Sequence, residues 1–365
     1  MKERTKNLVI CIVATGFLSL MFLASILVPD KEFSISERRK LALRPEIKMD
    51  RILNGKFMVD YDKYTLDQFP KRDLLRRLKA EVSMNLFKKK DNNDLYIYDN
   101  YISSMEYPMN EESLDRASNK FRFIYERFLK EENKVYLSVI PDKNRFTAEQ
   151  SGHLSMDYEQ FEMKMKEKNP YASYIKISDL LEREDYYRTD THWRQEKIQD
   201  VADRLAIEMG TSIEEADEAV KVSDEFYGVY ANQLALSMKP EEIHYVINDK
   251  MKKFQIMDKQ NNKEIELYAL DKATGLDPYE MFLSGPLSLV EITNPTADTD
   301  KELIIFRDSF GSSIAPLLAQ GYEKTTLVDI RYLQSVYLDR FVDFENADVL
   351  FLYSTLVLNN SEMLK

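Results

Sequence analysis

The sequence predicts an α/β fold, with a parallel sheet covered by helices on both faces. Two observations carry this reading. Short apolar runs without hydrophobic–polar alternation recur along the chain, as in Val135–Ile140, Leu303–Phe306 and Val349–Tyr353. Amphipathic stretches with helical spacing lie between them. Strands buried on both faces give continuous apolar runs, and helices between them supply the crossovers of a parallel sheet.

The first element is N-terminal. Lys2, Arg4 and Lys6 precede an uncharged stretch from Asn7 to Pro29, with Leu8–Val28 as its apolar centre. About 20 apolar residues span a bilayer as a helix. The flanking charges place the N-terminus inside and the body outside. A cleaved signal peptide is the alternative, but its apolar region is about 7–15 residues long, and Ile26-Leu27-Val28 is a poor cleavage context. A buried helix is the third reading. Leu8-Val9-Ile10-Cys11 loosely matches a lipoprotein box, but Ile10 is too bulky and no apolar region precedes it. The expected organisation is an anchor over 1–29, a tether over 30–60 and a globular domain over 61–365, with a β-rich insertion around 240–300.

Within the body, 56–90 reads as helix broken at Pro70, with Phe57, Tyr61 and Tyr64 and then Leu74, Leu75 and Leu78 at helical spacing. Leu95–Tyr98 reads as a strand closed by the turn signal Asp99-Asn100. Helix over 111–130 and strand over 135–140 follow. Further on, helices are predicted over 158–168, 195–209, 313–319 and 332–343. Strands are predicted over 174–177, 303–306, 326–329 and 349–353. His244–Ile247 and Ile265–Tyr268, separated by Asn261-Asn262, suggest an inserted hairpin or a small β excursion.

Composition excludes several classes. Aromatic and branched residues are spread along the whole 365-residue chain, which argues against wholesale disorder. A formal charge of −12 is wrong for nucleic-acid binding. Cys11, inside the apolar run, is the single cysteine, so neither a disulfide framework nor a thiolate metal site is expected. With only His153, His192 and His244 present, histidine chemistry has few places to sit.

Two segments carry the chemistry. In Phe306-Arg307-Asp308-Ser309-Phe310-Gly311, an apolar strand runs into a serine and then a helix. Ligands bind at the carboxyl ends of such strands, and amides at a helix start suit an oxyanion. The plainer reading is that Ser309 caps the helix. In Thr189-Asp190-Thr191-His192-Trp193, a carboxylate lies two residues from a histidine, so Asp190 is placed to orient His192 as a base. The plainer reading is a loop histidine bonded to backbone. Two ligands do not make a metal site, so no metal or cofactor is expected. A nucleophile needs a base, and His192 alone among the histidines has a motif around it. Together the segments predict a triad of Ser309, His192 and Asp190.

Asp190-Thr191-His192-Trp193 resembles the Asp-His-His-Trp signature of bacterial DHHW-motif proteins, which are related to the alginate O-acetylation proteins. The Ser309 segment is similar to their serine block, itself a variant of the Gly-Asp-Ser block of SGNH hydrolases. Softer matches are Ser36-Glu37-Arg38-Arg39-Lys40-Leu41, Phe69-Pro70-Lys71-Arg72-Asp73 and Pro141-Asp142-Lys143-Asn144. The resemblance covers roughly 30–359. It implies a flavodoxin-like SGNH domain in permuted block order, acting on acyl esters of cell-envelope or exported polysaccharides outside the cytoplasm. It also implies a membrane-bound O-acyltransferase as acyl supplier. The sequence departs from the family at Thr191, and it lacks the oxyanion glycine and asparagine of SGNH hydrolases. Arg331 and Tyr353 stand where they would be expected, as oxyanion or substrate contacts or as a solvated arginine and a packing tyrosine. Tyr186, Tyr187 and Trp193 suit either stacking on sugar rings or core packing. Three functions stay open at this point: an O-acyltransferase, a carbohydrate esterase, and a non-catalytic glycan-binding assembly protein.

Overall fold

The computed structural model describes residues 3–34, 36–37 and 39–365, and the chain divides into two compact units. The first comprises Met1–Asn92 with Asn232–Ser237. Its α1 (Glu3–Leu27) is long and apolar enough to cross a membrane, and none of its residues is buried. The break at Pro70 falls where expected, between α2 (Lys56–Asp67) and α3 (Arg72–Glu81). Two of the softer motif segments are wired to each other here. Ser36 Oγ donates to Asp73 at 2.6 Å, Arg72 pairs with Glu37 at 2.9 Å, and Arg39 forks onto Asp67. That guanidinium holds the Asp67 carboxyl down at about 2. Ile35 and Arg38 lie outside the described residues.

The second unit, Asn93–Ala231 with Met238–Lys365, holds the sheet. It opens with the hairpin Leu95–Tyr98/Tyr101–Ser104, whose turn residues Asp99 and Asn100 both have positive φ. Asp and Asn tolerate that conformation, which a two-residue hairpin turn requires. The longer helices that follow are α4 (Glu111–Phe128), α5 (Asn144–Ser151), α6 (Tyr158–Lys168) and α7 (Gln199–Glu208). A further one, α8 (Gly311–Leu318), comes after the serine. The sheet strands are β1 (Val135–Ile140), β2 (Ser173–Tyr174), β3 (Gln255–Asp258), β4 (Lys263–Ile265), β5 (Leu289–Thr293), β6 (Glu302–Arg307), β7 (Lys324–Val328) and β8 (Ala347–Ser354). They lie in the order β4-β3-β5-β7-β6-β8-β1-β2. From β7 to β2 all pairings are parallel, whereas β5, β3 and β4 add an antiparallel extension.

Alternation along each strand feeds two cores. Ile304, Phe306, Val349 and Phe351 pack with Leu114, Phe121 and Ile124 of α4 and Phe161 of α6. Leu303, Ile305, Leu350 and Leu352 pack with Val201 and Leu205 of α7 and Ile314 and Leu317 of α8. Both faces are thus covered, which is why the strands read as unbroken apolar runs.

Four elements differ from expectation. The strand predicted over 174–177 is only β2, although the Ile175 amide still donates to Leu137 O at 2.9 Å. The helix predicted over 195–209 starts with a separate 3-10 turn at Gln195–Lys197, because Ile198 leaves helical geometry at φ −118°. The helix predicted over 332–343 is a 3-10 turn, Ser335–Arg340. His244–Ile247 and Ile265–Tyr268 do not form a hairpin. The former belongs to Glu241–Ile247, which pairs with Glu218–Phe226. The Asn261-Asn262 turn instead joins β3 to β4. Glu218–Phe226 is largely exposed and offers few apolar residues, so its sequence carries a weak strand signal.

Candidate active site

Ser309 sits in the turn between β6 and α8, at the carboxyl end of a strand in the middle of the parallel run. The turn is tight. A Cβ on Gly311 would lie 2.6 Å from the Cβ of Arg307, so a side chain there forces backbone movement. Asp308 fixes the turn from inside the protein. One carboxylate oxygen accepts from the Phe310 amide at 3.0 Å, and the other accepts from the Ser354 amide at 2.8 Å and its hydroxyl at 2.6 Å. With Asp308 and Phe310 buried, Ser309 is the part-exposed residue of the turn.

Asp190 and His192 reach the serine from a loop 117 residues earlier. His192 Nε2 lies 2.7 Å from Ser309 Oγ, and Nδ1 lies 2.6 Å from Asp190 Oδ1. The same oxygen accepts from the His192 amide at 3.1 Å, and Asp190 Oδ2 accepts from the Val229 amide at 2.8 Å. Both residues are nearly inaccessible, at 1% and 8% exposure. Gly228 makes the approach possible, since a Cβ there would stand 2.3 Å from the Asp190 Cβ.

The loop is braced further out. Glu241 accepts from the Arg188 amide (2.8 Å), the Thr189 amide (2.7 Å) and the Thr189 hydroxyl (2.6 Å). Lys143 Nζ donates to Tyr187 O at 2.7 Å and Arg188 O at 3.3 Å. Burial lowers the Lys143 ammonium to about 7. The next residue back, Asp142, accepts from the Thr355 hydroxyl at 2.7 Å. Tyr279 stacks flat on His192, with centroids 3.7 Å apart and 5° between planes. Its hydroxyl and the Trp193 indole both donate to Ser313 Oγ at 2.8 Å.

The structure therefore brings Ser309, His192 and Asp190 into one hydrogen-bonded chain. It places the other candidates elsewhere. Trp193 is fully buried, its indole supporting α8, and Tyr186 and Tyr187 are fully buried as well. None offers a ring to a sugar. Tyr353 is also fully buried and stacks on Phe121 at 5.3 Å, so it does not line a rim. These corrections have one cause, the need of two core layers for large side chains. Arg331 is committed to Asp329 through bonds of 2.9 and 2.7 Å. Thr191, at the position that departs from the family signature, accepts from the Tyr230 hydroxyl at 3.1 Å.

Gly228, Tyr279 and Glu241 escape sequence reasoning because their roles depend on long-range contacts. Lys143 was within reach: it lies in the Pro141-Asp142-Lys143-Asn144 segment, but nothing local says that its ammonium points at another loop.

No family profile and no curated protein matches the sequence. Solved structures do match. A DHHW family protein from Eubacterium siraeum aligns over 74% of this chain and 93% of its own, with 17% identity and a TM-score of 0.61. The fold is that of a DHHW family protein. Bacillus cereus PatB1 aligns over 75% of this chain and 99% of its own, with 18% identity and a TM-score of 0.56. A second structure of PatB1, with a sulfonyl adduct, aligns at 19% identity and a TM-score of 0.54. The α/β architecture expected from the sequence, a largely parallel sheet with helices on both faces, is thus the one observed.

Proposed function

We propose that the chain is an extracytoplasmic, membrane-anchored O-acyltransferase, in the first instance an O-acetyltransferase, that modifies a cell-envelope or exported polysaccharide through an acyl-serine. The observation that carries this is the Asp190–His192–Ser309 chain, with links of 2.6 and 2.7 Å. His192 Nε2 takes the Ser309 proton as Oγ attacks the acyl carbonyl of the donor ester. It then gives that proton to the leaving alcohol, and the acyl group stays on Ser309. In the second half, His192 takes the proton of a sugar hydroxyl, which attacks the acyl-serine, and Ser309 regains its proton. Asp190 keeps Nδ1 protonated and stabilises the imidazolium of each half. A membrane-bound O-acyltransferase supplies the acyl group. The choice of a sugar over water as acceptor rests on the resemblance to the alginate O-acetylation proteins; an esterase would run the same first half with water in the second.

The test begins with a sulfonyl fluoride and with an activated acetyl ester, each followed by intact mass and peptide mapping. Each should add one group, on Ser309, and none to Ser309→Ala. Label on another residue overturns the nucleophile. Glycan acceptors should then shorten the life of the acetyl-enzyme and receive its acetyl group; release of acetate alone identifies the esterase.

A further inference from the structure

Helix α3 is inside out. At helical spacing Arg72, Arg76 and Ala80 share one face, and Leu74, Leu75 and Leu78 share the opposite one. The arginine face is turned into the protein. Arg76 donates to the carbonyls of Asn232 and Gln233 at 3.1 and 3.2 Å, Arg72 pairs with Glu37, and Ala80 is fully buried. The leucine face is turned out, with Leu74 62% and Leu78 56% exposed. Past the π turn Val82–Leu86, Leu86 and Phe87 are each 69% exposed. A soluble helix normally buries its leucines, and contiguous exposed apolar surface marks something that covers it.

The flanks say what covers it. With Arg72 and Arg76 turned inward, residues 71–90 still present six Lys and Arg against two Asp and Glu, in a chain with 51 basic and 63 acidic residues overall. Arg77, Lys79 and the run Lys88-Lys89-Lys90 are all exposed. A helix with an apolar face and basic borders is built to lie in the plane of a lipid interface, apolar side in the acyl boundary and cations at the headgroups. A second copy of the chain would set this basic border against itself. Anionic lipid complements it.

We infer that residues 71–90 form an interfacial membrane contact for anionic lipid, a second point of attachment besides α1. The inference rests on the reading of α1 as a bilayer anchor. Once α1 is inserted, the second contact is intramolecular, so even a weak interfacial helix is engaged.

The test uses full-length protein with Cys11→Ser and Leu78→Cys, labelled with bimane and reconstituted into vesicles of phosphatidylcholine with one-third phosphatidylglycerol. A label at Asp249→Cys, an exposed position, serves as the aqueous reference. Leu78 is exposed, so its replacement leaves the packing intact. Lipid-borne shallow nitroxides should quench the label at 78 several-fold more than the label at 249, and aqueous iodide should do the reverse. Replacing phosphatidylglycerol by phosphatidylcholine, or K88Q/K89Q/K90Q, should reduce the nitroxide quenching. Iodide quenching at 78 in protein that still floats with the vesicles overturns the interfacial contact and leaves the anchor standing. Shielding from both quenchers means a protein covers the face, and also overturns it. Failure to float removes the anchor reading and this inference with it.

Discussion

The Ser309 turn and the Asp190–His192 loop do complementary jobs with different construction. The turn is nearly self-sufficient: β6 leads in, Gly311 permits the bend, and Asp308 binds the Phe310 amide and the end of β8. The loop has only the bridge between Tyr186 and Trp193 at its base. Its position comes from residues distant in sequence, namely Gly228, Val229, Glu241, Lys143 and Tyr279. A side chain in a strand-to-helix turn can be placed by local backbone, whereas a loop side chain that must meet it across the fold has to be placed by tertiary contacts.

The largest effects should come where the two regions meet. Ser309→Ala and His192→Ala should each cut acyl-enzyme turnover by about 10⁴-fold or more, and the double variant should lose little beyond either, because such residues act as a unit. Steady-state rates beside melting curves check this; an additive double loss breaks the coupling. Next come the glycines. Gly228→Ala drives a methyl group into Asp190 and should cost about 100-fold in kcat, the scale of an ångström of misplacement. Gly311→Ala strikes the other region, and comparing the two says which is less forgiving. A smaller loss is expected of Ser354→Ala, which strips one donor from buried Asp308. It should lower unfolding stability by about 1–3 kcal/mol in urea titrations, with a lesser loss of rate.

The smallest effect is in the pH dependence of stability. Burial lowers Lys143 to about 7 from an unfolded value of 10.5. Between those values the unfolded chain holds the extra proton, so this group makes stability rise with pH. Glu106 runs the other way: burial raises it to about 7 from 4.5, so its contribution is full below 4.5 and is lost as pH rises through 7. Lys143→Met should flatten the alkaline rise and Glu106→Gln the acidic fall, read from denaturant midpoints across pH 4–11.

The same contrast explains what the sequence made legible. Strands β1, β6 and β8 were readable because burial on both faces leaves an unbroken apolar run. The serine segment was readable because strand, serine, glycine and helix are consecutive. Asp190 and His192 stood out through scarcity, since only three histidines exist. Glu218–Phe226 was not readable, being mostly exposed and paired with a partner across an intervening helical segment. The buried Trp193 and Tyr353 misled for a related reason: an aromatic residue beside a motif looks the same in sequence whether it faces a ligand or the core.

Ser354 and Thr355 are neighbours, and each holds a carboxylate from a strand beside β8, Asp308 after β6 and Asp142 after β1. Asp142 adjoins Lys143, Lys143 grips the loop of His192, and His192 meets Ser309. The contacts close on themselves like a four-bar linkage, so the gap between Oγ and Nε2 is gauged twice, once directly and once around the ring through β8. A linkage of that kind has little slack, and a change at Thr355 should reach both His192 and Ser309 without touching either.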